Sequence, residues 1–257
     1  LYVGEHITSD NWEERYWAVV VLGAILEGPE QKCLFDKLFP VADLLISMMW
    51  DRNNKVKYAA CWLISRISKV VPYVLIDKNE NFQNLYRNIL DGLKESPNVS
   101  SNIASIVSEL AESLLNQNGV LWDTSILSGV FEELLGVLHE FSIQDIADES
   151  DLVRVRVSGF AAIYSLLQYA PKDVENTCII YMTTIIDLLR YSLETTLDRR
   201  LEELQGFLMC ALQCILTNIE TNLTEDKFYD ITDLITDIFR QRKDVFDEGL
   251  RSEERRV

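Results

Sequence analysis

Asn11–Glu30 reads NWEERYWAVVVLGAILEGPE and contains the repeating element of the fold. Trp17, Ala18, Val21, Leu22, Ile25 and Leu26 fall at i, i+1, i+4, i+5, i+8 and i+9, the spacing that lays a broad apolar stripe along one side of an α-helix. Gly28-Pro29 closes the helix, because glycine tolerates the left-handed turn beyond a helix end and proline has no amide hydrogen to donate. A lone helix of this kind leaves its stripe in water. Neighbouring elements of the same sort must cover it.

Such neighbours follow along the chain. Cys33–Trp50 sets Leu34, Leu38, Val41, Leu44, Leu45 and Met48 at helical spacing, and Asp51–Asn54 supplies turn-forming residues. Lys55–Val71 then carries Val56, Ala59, Ala60, Leu63, Ile64, Ile67 and Val70 on a second helix that Pro72 ends. The pair returns as Phe82–Lys94 and Val99–Asn116 about the turn Ser96–Asn98, as Ile126–Phe141 and Leu152–Tyr169 across the acidic loop Gln144–Asp151, and as Val174–Leu193 with Leu201–Ile219. Lys227–Arg240 reads as the first helix of a fifth pair, whose partner is expected to begin at Asp244 and to stop in the charged run Arg251–Arg256.

Aligning the second helices at Ala18, Ala60, Ile103, Gly159, Ala211 and Gly249 gives spacings of 42, 43, 56, 52 and 38 residues. Two-helix units of about 40 residues mark HEAT or armadillo arrays. The expected fold is all-α, an α-solenoid of about five HEAT helix pairs incomplete at both ends, each pair burying its face only against its neighbours. The expected organisation is a single array over residues 1–257. It comprises a lone second helix in 1–30, repeats over 31–73, 74–119, 120–171 and 172–222, and an incomplete repeat over 223–257.

Composition narrows the function. With 24 Lys and Arg against 41 Asp and Glu the chain carries a formal charge of −17, which repels nucleic-acid phosphate and anionic lipid and favours basic partners. A HEAT-like DNA enzyme such as a base-excision glycosylase needs a basic channel, and the basic residues here are too sparse and too interspersed with acids to form one. The longest apolar run, Trp17–Leu26, has ten residues, against roughly 20 needed to cross a bilayer, so no membrane insertion is expected. No basic segment followed by an apolar core opens the chain, so no secretory signal is expected. The chain starts with Leu1, part-way into the repeat pattern, as expected of a piece of a longer protein.

Cys33, Cys61, Cys178, Cys210 and Cys214 are odd in number and set among apolar helical residues, which fits a reduced intracellular compartment and core thiols. Cys210 and Cys214 stand one helical turn apart, but His6 and His139 are far from them in sequence, so no metal site is expected. Asn98-Val99-Ser100 and Asn222-Leu223-Thr224 match the glycosylation pattern by chance on this reading. Glu13-Glu14, Glu132-Glu133 and Glu202-Glu203 lie where helix surfaces are wet, whereas general acid–base work needs a carboxyl shifted inside a water-poor pocket. No phosphate-binding glycine loop, HExxH, nucleophile elbow or cysteine-rich cluster is present. A non-enzymatic protein without a cofactor is expected.

Asn11-Trp12, Arg15, Gly23 and Ile25-Leu26-Glu27-Gly28-Pro29-Glu30 resemble the middle of importin-β, the nuclear import karyopherin, where a second helix beginning with Trp ends in the same ILEGPE. Val56-Lys57, Ala59, Trp62 and Arg66-Ile67 before Pro72 continue the likeness. Val99, Ser101-Asn102 and Leu110-Ala111-Glu112, then Arg156 to Lys172-Asp173, then Leu212-Gln213 with Leu216 extend it in register, strongly over the first 115 residues and faintly afterward.

The resemblance implies a divergent central segment of an importin-β-type receptor, acting in the cytoplasm, the nucleus and the nuclear pore. It implies that second helices line a concave face whose acids and tryptophans hold the basic helix of an importin-α-type adaptor, or a basic cargo signal. First helices offer apolar grooves to Phe-Gly repeats of nucleoporins, and Ran in its GTP form competes for the inner face. The family carries acids at the positions of Tyr16 and Tyr58 and a Trp at Ser105, while Trp62 and Asn102 are retained. The rival reading keeps the fold and makes the chain an assembly scaffold of the phosphatase- or coat-complex kind, with partners on inter-repeat loops.

The candidate partner-binding residues are Tyr16, Tyr58, Trp62, Asn102, Ser105, Glu109 and Glu112. Tyr58, Trp62 and Arg66 follow one another at single helical turns, an aromatic-polar ridge on which a bound cation's aliphatic stem can lie over a π-face; the alternative for Trp62 is space-filling between adjacent helices. Glu109 and Glu112 share a helix with Asn102 and Ser105, and carboxylates arrayed in this way meet the basic face of a bound helix and speed its capture. Glu27 is expected to serve local structure first.

Overall fold

A computed structural model describes residues 2–114, 123–195, 199–218 and 224–254, with side chains to Lys243. Asn116, Ile219, Asn222-Leu223 and Arg255-Arg256 lie outside the described residues. Every regular element described is helical: α1 Tyr2–His6, α2 Trp12–Ile25, α3 Gln31–Leu38, α4 Ala42–Ser47, α5 Asn54–Val70, α6 Tyr73–Ile76, α7 Asn79–Gly92, α8 Pro97–Ser113, α9 Phe131–Ile143, α10 Glu149–Gln168, α11 Glu175–Leu193, α12 Arg199–Asn218 and α13 Glu225–Glu254. They group into two compact units, residues 1–173 and 174–257.

In the first unit α2, α5, α8 and α10 pack one on the next as a series of second helices, with α3–α4, α7 and α9 as first helices. Cross-helix bonds fix their direction. The Lys55 ammonium lies 5.1 Å over the Trp12 ring near the start of both α2 and α5, and Arg66 Nε donates to the Gly23 carbonyl at 2.9 Å near their ends. Asn102 Nδ2 donates to the Tyr58 carbonyl at 3.4 Å between α5 and α8, and the Ser108 and Ser165 hydroxyls meet at 2.7 Å between α8 and α10. The helices therefore run parallel, one repeat out of phase with the next, and this unit is an α-solenoid segment. Leu45, Leu63, Ile64, Ile67, Leu85, Ile103, Ile106 and Leu110 are among its fully buried side chains.

Local signals set the helix starts. Asn11 caps α2 by accepting from Glu13 N at 3.0 Å, Asn53 caps α5 through Lys55 N at 2.9 Å, and Asp148 caps α10 through Asp151 N at 3.0 Å; each satisfies an amide that the helix itself leaves bare. Glu13 and Glu14 then occupy the first turn of α2, where the helix dipole favours negative charge. Gly23 and Gly159 are contact points where a β-carbon has no room. One at Gly23 would overlap the Trp62 ring, and one at Gly159 would overlap Ser142 and Phe141.

Three sequence expectations change. Cys33–Trp50 is not one helix: Pro40 interrupts it, and α3 and α4 are joined through a tight turn at Phe39–Val41, because proline cannot supply the amide an uninterrupted helix needs. Asp244 does not open a new helix, since α13 runs unbroken from Glu225 to Glu254; no glycine or proline stands near Asp244 to end it, and Gly249 is interior to the helix. The α2 stripe is only half covered. Ala18, Leu22 and Leu26 are buried, while Trp17, Val21 and Ile25 are exposed on the side away from α5.

In the second unit α11, α12 and α13 share a core of Ile185, Leu189, Leu208, Leu212, Ile215, Ile231, Leu234 and Ile238. The Gln205 side chain, fully buried, donates to Ser192 Oγ and to Gln241 Oε1, both at 3.0 Å, and accepts from Arg242 Nε at 3.2 Å. Its amide thereby ties all three helices through satisfied bonds. The cysteines divide: Cys61, Cys178 and Cys214 are buried, but Cys33 and Cys210 are exposed, so the expectation of five core thiols holds for three. No described helix is long and apolar enough to cross a membrane.

Candidate partner-binding face

The seven candidate residues all lie in the first unit, on α2, α5 and α8. Tyr16 and Tyr58 come together in a cleft of about 480 Å³ at the head of these helices, completed by Asn54 and Lys55 of α5 and by Ser96, Asn98 and Val99 at the start of α8. Tyr58 is 44% exposed and Tyr16 half-buried, its ring edge-on to Trp17 at 5.1 Å. Asn102 belongs to the same neighbourhood through its bond to the Tyr58 carbonyl.

Trp62 is half-buried one turn below Tyr58. Its ring packs on the bare backbone at Gly23 and is covered on another side by the Arg66 guanidinium, 5.4 Å from the ring centre. Arg66 in turn donates to the Gly23 carbonyl at 2.9 Å and to Glu27 Oε1 at 2.7 Å. The ridge of Tyr58, Trp62 and Arg66 is thus present, with its lower two members holding α5 to α2, and Glu27 is the anchor of Arg66.

Ser105 turns its hydroxyl back onto the Ser101 carbonyl at 3.1 Å. Glu109 lies two turns below Asn102 and meets the Lys69 ammonium of α5 at 3.6 Å, so part of its charge is answered within the protein. Glu112 is exposed and makes no ion pair among the described residues. Lys57 and Glu95 pair at 3.0 Å just behind the cleft.

The arrangement is held from behind by a residue that carried the resemblance without being read as functional. Arg15 is 7% exposed. Its Nε and Nη2 each donate to Asp51 at 2.8 Å, and its Nη1 donates to the Ser9 and Asp10 carbonyls at 2.7 and 3.1 Å. Burial alone would push the Asp51 carboxyl up, but the bonds from Arg15 and from the Asn53 amide hold it below the usual carboxylate range. The Arg15 guanidinium is correspondingly pushed up by Asp51. This bidentate pair ties the head of α2 to the turn that starts α5.

Cys61, on the buried side of α5, is pushed up to about 12 by burial, which leaves it protonated and inert. Burial also lowers the His139 imidazole on α9. Among the described residues no group of three or more His, Cys, Asp or Glu is placed to hold a metal. Sequence reasoning missed Lys55, Ser96 and Asn98 as lining residues, since Ser96–Asn98 reads only as a turn. The available signal was the 43-residue offset that sets Trp12 against Lys55 and Gly23 against Arg66.

Comparison with known proteins places the chain in a known family. A family model described as importin subunit beta-1-like, TPR repeats, matches residues 84–241, and so includes the half where the likeness read from the sequence is faint. Importin subunit beta-1 of Saccharomyces cerevisiae is 25% identical over 226 residues, covering 84% of this chain and 25% of that protein. Importin subunit beta-1 of Arabidopsis thaliana is 25% identical over 252 residues, covering 93% of this chain and 28% of that protein. The chain therefore spans about a quarter of the length of these relatives.

Among solved structures, importin beta crystallised in an ammonium sulfate condition superposes with a TM-score of 0.82 at 22% identity, covering 92% of this chain and 27% of that one. A Kap95p structure, described as inducing the switch loops of RanGDP to adopt the GTP-bound conformation, gives 0.81 at 21% identity over 95% of this chain and 28% of that one. A Kap95:Nup1 complex gives 0.71 at 23% identity over 84% of this chain and 25% of that one. These likenesses carry the fold, an α-solenoid of helix pairs.

Proposed function

The chain belongs to the importin subunit beta-1-like family, and from that premise we propose that it is a segment of a non-enzymatic nuclear transport receptor that binds a basic helix of an importin-α-type adaptor, or a basic cargo signal, along its second helices. The observation that carries the reading is the family match over residues 84–241 on a chain of charge −17. In support, Tyr16, Tyr58, Asn102 and Glu112 follow one another on the parallel series α2, α5, α8. Exposed Glu112 offers a carboxylate to a basic side chain, and exposed Tyr58 offers its phenol to the partner beside it.

The same reading makes residues 1–257 one continuous HEAT array and gives it the family's further partners. Phe-Gly repeats of nucleoporins dock on first helices, where exposed Ile180 and Tyr191 of α11 provide apolar surface, and Ran-GTP displaces the cargo. The named neighbours with RanGDP and Nup1 support these two partner classes. The receptor then works between cytoplasm and nucleus through the nuclear pore.

The test is fluorescence anisotropy of a labelled importin-β-binding helix titrated with the protein across a salt series. Affinity is expected to fall steeply between about 50 and 200 mM salt, as the Debye length contracts from about 14 to 7 Å. Absence of binding at low salt, using a longer chain that includes the neighbouring repeats, overturns the proposal.

A further inference from the structure

We propose that the cleft between the heads of α2, α5 and α8 receives an acidic side chain of the protein partner, the opposite charge from that expected along the rest of the face. The inference rests on the reading that a partner lies along the second helices, and it adds which chemistry that partner presents at this point.

The cleft stands apart from its surroundings in charge. The chain carries 41 acidic residues against 24 basic ones, yet the lining contains Lys55 and no carboxylate. The Lys55 ammonium lies 5.1 Å over the Trp12 ring and makes no ion pair among the described residues. Its neighbours Lys57, Arg15 and Arg66 are all answered by carboxylates, from Glu95, Asp51 and Glu27. A ring face holds a cation in place without neutralising it.

The polar groups around Lys55 can add to the same preference. The Asn98 amide is oriented by Arg154 of α10, whose Nη1 donates to Asn98 Oδ1. That bond occupies one of the two lone pairs of the oxygen and leaves the NH₂ as a donor. Ser96 makes no side-chain capping bond, so its hydroxyl is available, as are the phenol groups of Tyr16 and Tyr58 as donors. An ammonium, the side-chain amides of Asn54 and Asn98 and three hydroxyls thus line a cleft of about 480 Å³, a set that can donate to both oxygens of a carboxylate. An arginine or lysine in the same place meets the Lys55 ammonium and finds no carboxylate in the lining to answer it. Like-charge juxtaposition of this kind rejects the wrong residue as effectively as good contacts select the right one.

The experiment is a titration of the isotopically labelled protein with acetylated, amidated tetraglutamate, with tetraglutamine, tetralysine and inorganic phosphate as parallel probes, following amide and Asn-side-chain NMR shifts. Saturable shifts at Lys55, Tyr58 and the Asn98 NH₂ with tetraglutamate, and none there with tetraglutamine or tetralysine, are expected. Lys55→Gln weakens tetraglutamate binding about two- to fivefold, and Asn98→Asp, which sets a carboxylate among the donors, removes it while circular dichroism stays unchanged. Equal shifts with tetraglutamine, stronger shifts with tetralysine, or tetraglutamate shifts confined to other sites overturn the proposal. Saturation by phosphate without any by tetraglutamate overturns it too, in favour of a phosphorylated partner. If the basic helix fails to bind while tetraglutamate fills the cleft, the transport reading falls and the cleft assignment stands; the reverse outcome separates them the other way.

Discussion

Substituting Asp51→Asn removes one negative charge and changes almost no volume, which makes it a direct probe of what holds α2 in the array. In the native protein the side chains of Arg15 and Asp51 are 8% and 10% exposed, and the guanidinium spends its donors on Asp51 and on the Ser9 and Asp10 carbonyls. Asn keeps one acceptor and turns the other into an NH₂ that faces a guanidinium N–H. The cation is then buried without its counter-charge, a change that costs about 3–5 kcal/mol when one partner of such a pair is removed.

Set against a typical total of about 5–15 kcal/mol, that loss need not unfold the protein. Arg15–Asp51, Trp62 on Gly23, Arg66 on Gly23 and Glu27, and Lys55 over Trp12 are among the polar and close contacts that join α2 to α5, and helix arrays open repeat by repeat. Hydrogen exchange is therefore the assay. Amides of Ala18–Leu22 in the variant are expected to lose about two to nearly four decades of protection, while those of α8 and α10 change little. The double variant Arg15→Met/Asp51→Leu is expected to recover much of it, because an apolar pair leaves no stranded charge. If Asp51→Asn changes α2 exchange by less than tenfold, the pair is not what anchors the helix.

Acid makes the same point. Since the folded Asp51 carboxyl is held below its ordinary value, its contribution is fully present above the unfolded value near pH 4 and is lost as pH falls through the lower folded value. Intrinsic-rate-corrected protection of α2 in the native protein should decline in that acid window. Gly23→Ala forces a methyl into the Trp62 ring and is expected to cost about 1–3 kcal/mol, read as a lowered denaturant midpoint at unchanged slope. Thiol titration of the native protein with a disulfide reagent should give two fast groups, Cys33 and Cys210, with Cys61, Cys178 and Cys214 reacting only after unfolding. Tyr86→Phe removes the hydroxyl that donates to Glu133 between α7 and α9 and is expected to cost about 1 kcal/mol by equilibrium unfolding.

The helix pairs were legible because the rule that makes them is local. Val56, Ala59, Ala60, Leu63, Ile64, Ile67 and Val70 announce α5 through spacing alone, and all but half-buried Val70 are buried in it. What spacing could not announce was where Pro40 divides α3 from α4, since the apolar positions on either side of it keep one helical period, or that α13 continues past Asp244 for want of a stop signal. The exposed half of the α2 stripe follows the same logic. Trp17, Val21 and Ile25 obey the helical pattern, but whether they are covered depends on elements the pattern does not contain.

The candidate site was legible by residue and not by the contacts its residues make. Tyr16, Tyr58, Trp62 and Asn102 could be picked out one by one, but Lys69 against Glu109, Trp62 and Arg66 against Gly23, and Ser96 and Asn98 beside Tyr58 come from helices about 40 residues apart. A carboxylate that reads as free in sequence can be answered from the next repeat. Only once the 43-residue register between α2 and α5 is fixed do such pairings become visible.

The account turns on a basic helix lying along α2, α5 and α8. A nitroxide-labelled importin-β-binding helix added at low salt to the isotopically labelled protein, within a longer chain carrying the neighbouring repeats, reads the contact surface amide by amide. Paramagnetic broadening concentrated on the exposed sides of α2, α5 and α8, around Tyr16, Tyr58 and Glu112, and relieved by salt is the predicted result. Broadening concentrated instead on the first helices α7 and α9, or none at all, contradicts it.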